Sequence, residues 1–205
     1  MTAPLPAPLP PPLPFDEHDD HLTVEVLNGI TLMSPRPALP HSRVASHLGS
    51  ILMRRFDGKS GGPPDRPGGF FLMFEPELRL GPDILVPDLA GWRRERWPQV
   101  PRSEAAAARI APDWVCEILS GNTAKSDRLH KVPLYHRHGV PHLWLVDPLR
   151  QTVEVFRHSE PGYIFLATYC DSDLLRAEPF MALDLDLSQI WPEPELVSPP
   201  TGDIF

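Results

Sequence analysis

From residue 22 the chain reads LTVEVLNGITLM, two short apolar runs that meet at Asn28-Gly29. That dipeptide accepts the positive φ angles of a tight turn, so two hairpin strands are predicted. Pro35, Pro37 and Pro40 then predict an extended connector. In HSRVASHLGSILMRRF (41–56) the apolar positions Val44, Leu48, Ile51 and Leu52 take helical spacing, with Ser42 as the expected cap. SGGPPDRPGG reads as a loop. FFLMFEPELRL predicts one or two strands, broken or edged at Pro76, and DILVPDLAGW predicts one more. Residues 92–113 read as a connector with a short helix around Ser103–Arg109.

The pattern changes at Trp114. Trp114–Leu119 is a continuous apolar strand that contains a single acid, Glu117, which is how a central strand covered on both faces reads. Residues 123–138 are mostly helical in spacing, with Pro133 expected to bend or interrupt them. His142–Val146, Thr152–Phe156 and Tyr163–Thr168 are further strands. Strand, helix and return strand between 114 and 146 form a βαβ-like unit. The fold class is therefore α/β or α+β with a mixed sheet.

Composition adds tails and removes some function classes. The chain has 205 residues, 28 of them proline. Seven prolines and no charge fall in residues 1–14, which predicts a disordered, polyproline-type tail, with acids following up to residue 20. Residues 192–205 predict a second flexible acidic tail, leaving 21–191 as a single domain. No apolar run reaches the roughly 18–20 residues that cross a bilayer, and nothing resembles the basic start and apolar centre of a signal peptide. Cys116 and Cys170 make no disulfide framework. A soluble, cytoplasmic protein without a membrane partner is expected. The net charge of −8 is concentrated at the ends: residues 21–191 carry −1 and residues 21–170 carry +3. That body does not exclude a nucleic-acid partner, although it lacks the strongly basic face of a tight DNA binder.

The candidate chemistry lies in strand-borne acids. A carboxylate inside an apolar run needs a partner or a metal, and Glu117 has a counterpart in Asp88 of ILVPDLAGW. Hydrolysis of a phosphodiester requires charge neutralisation and an activated water, both of which Mg²⁺ supplies. Mg²⁺ takes oxygen ligands, commonly one or two carboxylates; the main-chain carbonyl of Ile118 is a further candidate ligand. The plainer alternatives are that Asp88 caps a turn and that Glu117 pairs with an arginine. Asp83 is five residues from Asp88, on the opposite face of a regular strand, and reads as a turn residue. On a helix Asp127, Lys131 and Tyr135 share one face, where Lys131 could orient water or stabilise developing charge; a simple Asp–Lys surface pair has the same spacing. Lys125 competes for that role. The histidines of HRHGVPH (His136, His138, His142) are zinc-ligand types, but a helix end before Gly139 offers them terminal carbonyls instead. Trp92-Arg93-Arg94-Glu95-Arg96-Trp97 could grip a phosphate backbone or be an ordinary solvated loop. Cys116 reads as a core residue.

These pieces together resemble the Uma-two family, classed with the endonucleases of the PD-(D/E)xK, restriction-endonuclease-like superfamily. The resemblance spans about residues 22–170 and rests on VEVLNGITLMSPRPALPHSRVASHL, VPDLAGW, WVCEILS, the Asp127–Lys131–Tyr135 series and GVPHLWLVDP. It implies a restriction-endonuclease-like mixed β-sheet flanked by helices and a metal-dependent site. Asp88 matches the Asp of the PD motif and Glu117 the D/E position. The superfamily lysine two residues later falls on Leu119, and Lys131 looks like its migrated replacement. His41 matches the family's helix histidine at the edge of the site. The resemblance thus implies an endonuclease acting on DNA, with Mg²⁺ or Mn²⁺ held by Asp88, Glu117 and the Ile118 carbonyl, and with Lys131 assisted by Tyr135, Asp127 and His41. A homodimer would suit cleavage of two strands. The alternative is a binding or assembly protein that keeps the fold and lacks turnover.

Overall fold

The computed structural model describes residues 22–97, 107–121 and 124–193. Both tails fall almost wholly outside that range. Strands β1 (Leu22–Leu27) and β2 (Ile30–Pro35) form the expected hairpin; Asn28 and Gly29 adopt φ of 53° and 80°. Helix α1 runs Leu39–Phe56 and starts earlier than the spacing suggested. Pro40 belongs to its first turn rather than to the connector, because a first-turn residue needs no N–H donor. Ala38 therefore takes the cap position, without a side-chain cap bond, and Ser42 lies inside the helix.

The next run makes β3 (Phe70–Phe74) and β4 (Glu77–Leu80), separated at Glu75-Pro76. DILVPDLAGW forms two strands rather than one, β5 (Asp83–Leu85) and β6 (Leu89–Arg93). The reason lies in Val86-Pro87-Asp88: proline cannot continue a ladder, and the chain leaves one sheet for another at this point. The helix expected around Ser103–Arg109 falls mostly outside the described residues; Ala107–Ala108 is strand β7. Strand β8 (Trp114–Ile118) is buried along its length. The helical segment that follows comprises α2 (Ala124–Ser126), a π-helical turn (Asp127–Lys131) and α3 (Val132–Arg137). After it come β9 (His142–Asp147), β10 (Thr152–Arg157), β11 (Ile164–Cys170) and the short β12 (Leu174–Leu175) and β13 (Leu185–Asp186).

A six-stranded mixed sheet runs β11-β10-β9-β8-β6-β3, and a five-stranded sheet runs β2-β1-β5-β4-β7. The parallel β8–β9 pair, with the helical segment between its strands, is the predicted βαβ unit. Alternate residues of β8 serve two cores. Trp114, Cys116 and Ile118 pack with Val44, Leu48 and Leu52 of α1 and with the 175–191 segment. Val115 and Leu119 pack with Leu27, Leu78 and Leu85 of the five-stranded sheet and with Leu134 and Tyr135 of α3. Glu117 points to this second side. No described helix is long and apolar enough to cross a membrane.

A candidate metal-dependent site between the two sheets

The cross-strand register builds the site. Strand β6 pairs antiparallel with β8 through Leu89–Cys116, so Asp88 and Glu117 occupy the next opposed position. The Ile118 amide donates to Asp88 Oδ2 at 2.6 Å, which locks the end of β6 to β8. His41 Nε2, in the first turn of α1, lies 2.8 Å from Asp88 Oδ1. Asp88 is therefore no local turn cap; β8 and α1 both reach its carboxylate.

Glu117 is 2% exposed, and both its oxygens have partners. Tyr135 donates its hydroxyl to Oε1 at 2.5 Å. Lys131 Nζ is 3.4 Å from Oε2. The ammonium also contacts Glu25 Oε2 at 3.1 Å and Asp127 Oδ1 at 3.4 Å. The partner of Glu117 is thus a lysine and a tyrosine rather than an arginine. Asp127 and Lys131 are a buried pair within a cluster, not a surface pair. Lys125 is exposed and does not line the cleft, whereas Lys131 does.

Glu25 is the site residue that the sequence reading missed. It is 3% exposed, and its Oε1 accepts from the Val86 amide at 2.8 Å, tying β1 to the strand-to-strand crossover. A usable signal was present: like Glu117, it is a lone acid in an apolar strand run. An alternating hairpin strand normally turns its polar side chains to water, which masked it.

Burial pushes the Glu117 carboxyl well above its ordinary value; Lys131 opposes that shift, and Asp88, Asp127 and Glu25 add to it. Burial likewise raises Glu25, again against the pull of Lys131. For Lys131 burial favours the neutral amine, but the charges of Glu117, Glu25, Asp127 and Asp88 outweigh it, and its proton is held more tightly than in a free lysine. Tyr135 is also raised, by burial first and then by the facing acids, so it stays a donor.

A cleft of about 430 Å³ opens on these groups. Its walls include Glu25, Asp88, Glu117, Ile118, Asp127 and Lys131, with the 34–38 connector and His41 opposite. The donor chemistry fits a hard divalent cation: the carboxylates of Glu25, Asp88, Glu117 and Asp127 all line the cleft, and carboxylate oxygens are the donors that Mg²⁺ takes.

Several other candidates lie elsewhere. Asp83 is fully buried at the start of β5, where it accepts from the Asn28 amide, Arg137 and His138. Burial favours its neutral form, but those hydrogen bonds win and hold its carboxyl below the ordinary range. His138 goes to Asp83, His142 lies nearest Glu178 and His136 sits by Ser159, so the HRHGVPH histidines do not converge. The 92–97 segment is internally knit: Trp92 is buried and donates to Ile110, Arg94 lies over Phe71, and Arg96 pairs with Asp113. Cys116 is buried, and burial raises its thiol well above its ordinary value, in keeping with a core role.

The Uma2 family model, described as "Putative restriction endonuclease", matches residues 12–189. Among solved structures, "a putative nuclease belonging to DUF820 from Anabaena variabilis ATCC 29413" superposes with a TM-score of 0.63 at 24% identity, covering 82% of this chain and 89% of that one. That likeness is one of fold. No curated protein matches the chain.

Proposed function

The chain belongs to the Uma2 family, and from that premise we propose that it is a Mg²⁺-dependent endonuclease hydrolysing DNA phosphodiester bonds in the cytoplasm. The observation that carries this reading is the arrival of Lys131 at Glu117, fourteen residues along the chain, with Asp88 on the opposed strand. Leu119 stands where the superfamily's lysine would, and it is a core residue. Lys131 supplies the missing cation from the helical segment instead.

Asp88, Glu117 and the Ile118 carbonyl would hold the ion, with Mn²⁺ able to substitute. When bound, Mg²⁺ supplies charge neutralisation at the phosphate and an acidified water. The chain's own groups do the rest. Lys131 keeps its proton among the surrounding acids, so it acts as a fixed positive charge near the phosphate rather than as a base. Tyr135 and Glu25 hold Glu117 and Lys131 in place, Asp127 anchors Lys131 from the preceding turn, and His41 orients Asp88. Two such sites in a homodimer would suit both strands of a duplex.

The test is cleavage of supercoiled and single-stranded DNA with Mg²⁺ or Mn²⁺. Glu117→Ala is expected to lose activity; equal cleavage by wild type and variant would sink the assignment. The buried Leu119 is the observation that favours a second reading, a non-catalytic binding or assembly protein. Calorimetry separates the two: absence of both cleavage and divalent-cation binding would favour it.

A further inference from the structure

Arg36 lines the same cleft as Glu25, Glu75, Asp88, Glu117 and Asp127, yet among the described residues it makes no hydrogen bond, ion pair or ring contact. It is exposed. By contrast, Arg79, Arg94, Arg96, Arg128, Arg137 and Arg150 each hold a carboxylate. Lys131, the buried cation of the cleft, is likewise taken up by three acids. The Arg36 guanidinium thus keeps its donors for an anion that enters the cleft. The backbone holds it there. Arg36 belongs to a three-residue connector between the end of β2 at Pro35 and the start of α1 at Leu39. Pro35 pairs with Leu22 of β1, and the Ser42 amide donates to the Ala38 carbonyl at 3.1 Å, so both ends of the connector are anchored. Prolines flank the arginine on both sides. Proline fixes its own φ and disfavours the helical region for the residue before it, so the Arg36 backbone has little freedom to lose on binding. The first turn of the same helix puts His41 2.8 Å from Asp88, which fixes the connector against the site.

On the nuclease reading, the scissile phosphate goes to the cation held by Asp88 and Glu117, beside Lys131. A polynucleotide carries further phosphates on either side of that one. A guanidinium fork matches phosphate oxygens bidentately, and contacts of this kind fix the register of a strand without reading its sequence. We propose that Arg36 binds a backbone phosphate flanking the scissile one, which makes the cleft a site for a polynucleotide strand rather than for an isolated phosphodiester. The assignment rests on the nuclease reading and adds to it the residue that aligns the strand.

The experiment measures binding of a fluorescein-labelled duplex oligonucleotide to the full-length protein by anisotropy, in Ca²⁺, which takes oxygen ligands, across a series of salt concentrations. Arg36→Ala should weaken binding by about tenfold or more. It should also flatten the slope of log affinity against log salt by about 0.9, the share of one phosphate contact. Arg36→Lys should restore the slope and only part of the affinity, since it keeps the charge and loses the fork. Electron paramagnetic resonance titration should show Arg36→Ala binding Mn²⁺ at least as tightly as wild type, because the change removes a cation from an acidic cleft. Wild-type affinity or an unchanged salt slope in Arg36→Ala would overturn the proposal and leave the nuclease reading standing, as would loss of Mn²⁺ binding in that variant. A wild-type protein that binds no oligonucleotide would overturn it too, and the nuclease reading falls with it only if DNA cleavage is also absent.

Discussion

Lys131 is the residue on which the cluster turns, since its ammonium touches Glu25, Glu117 and Asp127 at once. Removing one partner of a buried ion pair costs about 3–5 kcal/mol, mostly from the charges left behind. Lys131→Met should therefore unfold at markedly lower denaturant, by roughly that amount. Because Glu117 and Glu25 protonate above the ordinary carboxylate value, the deficit should shrink as pH falls through their raised values. A deficit independent of pH would mean that the acids are not the source. The same raised Glu117 predicts the pH course of metal binding. A proton must leave before a cation binds, so Mn²⁺ affinity should climb with pH above the ordinary carboxylate value of about 4.3. Electron paramagnetic resonance titrations should show that climb in wild type and a flatter course in Glu117→Gln. Asp88 and Glu117 are legible because each interrupts an apolar run, and Lys131 and Tyr135 because they share a helical face with Asp127. Glu25 is not, because hairpin strands so often carry a solvated acid at that phase.

At the scale of elements, the π-helical turn from Asp127 to Lys131 sets where the lysine emerges. Pro133, at the start of α3, has no N–H, and its ring would crowd the carbonyl four residues back. A widened turn relieves that conflict, and such π turns recur at functional sites. The sequence showed that Pro133 must disturb the helix; it could not show that the disturbance would widen one turn while Asp127, Lys131 and Tyr135 stayed on one side. Pro133→Ala restores a helix donor and should leave the thermal midpoint equal or higher. It should also tighten the turn, move Lys131 and reduce metal-dependent cleavage. Unchanged cleavage would show that the turn does not place the lysine. The split of DILVPDLAGW between two sheets was hidden for a related reason: its apolar run is continuous, and only tertiary pairing shows that Pro87 is the crossing point. The start of α1 is hidden in the same way, because Pro40 has the character of a connector residue although it lies in the helix's first turn.

For the whole molecule, two sheets meet along a cleft, and Asp88 and Glu117 face it from opposed positions on adjacent strands of one sheet while Glu25 arrives from the other. Strand periods and the βαβ unit were readable because they are local. The pairing of the 22–27 strand with Asp83–Leu85, which brings Glu25 to Lys131, spans more than fifty residues and leaves no local trace. Charge at this scale points the same way as the site: acids gather in the tails, while residues 21–170 carry +3. On the proposed function, the acid-lined cleft would need a divalent cation before it could accept a phosphate. Crystals soaked in Mn²⁺ and measured for anomalous scattering address that claim most directly. A peak in the cleft ligated by Asp88 and Glu117 is expected, lost in Glu117→Ala crystals. A cleft without a peak at saturating Mn²⁺, or a peak that persists in the variant, would contradict it.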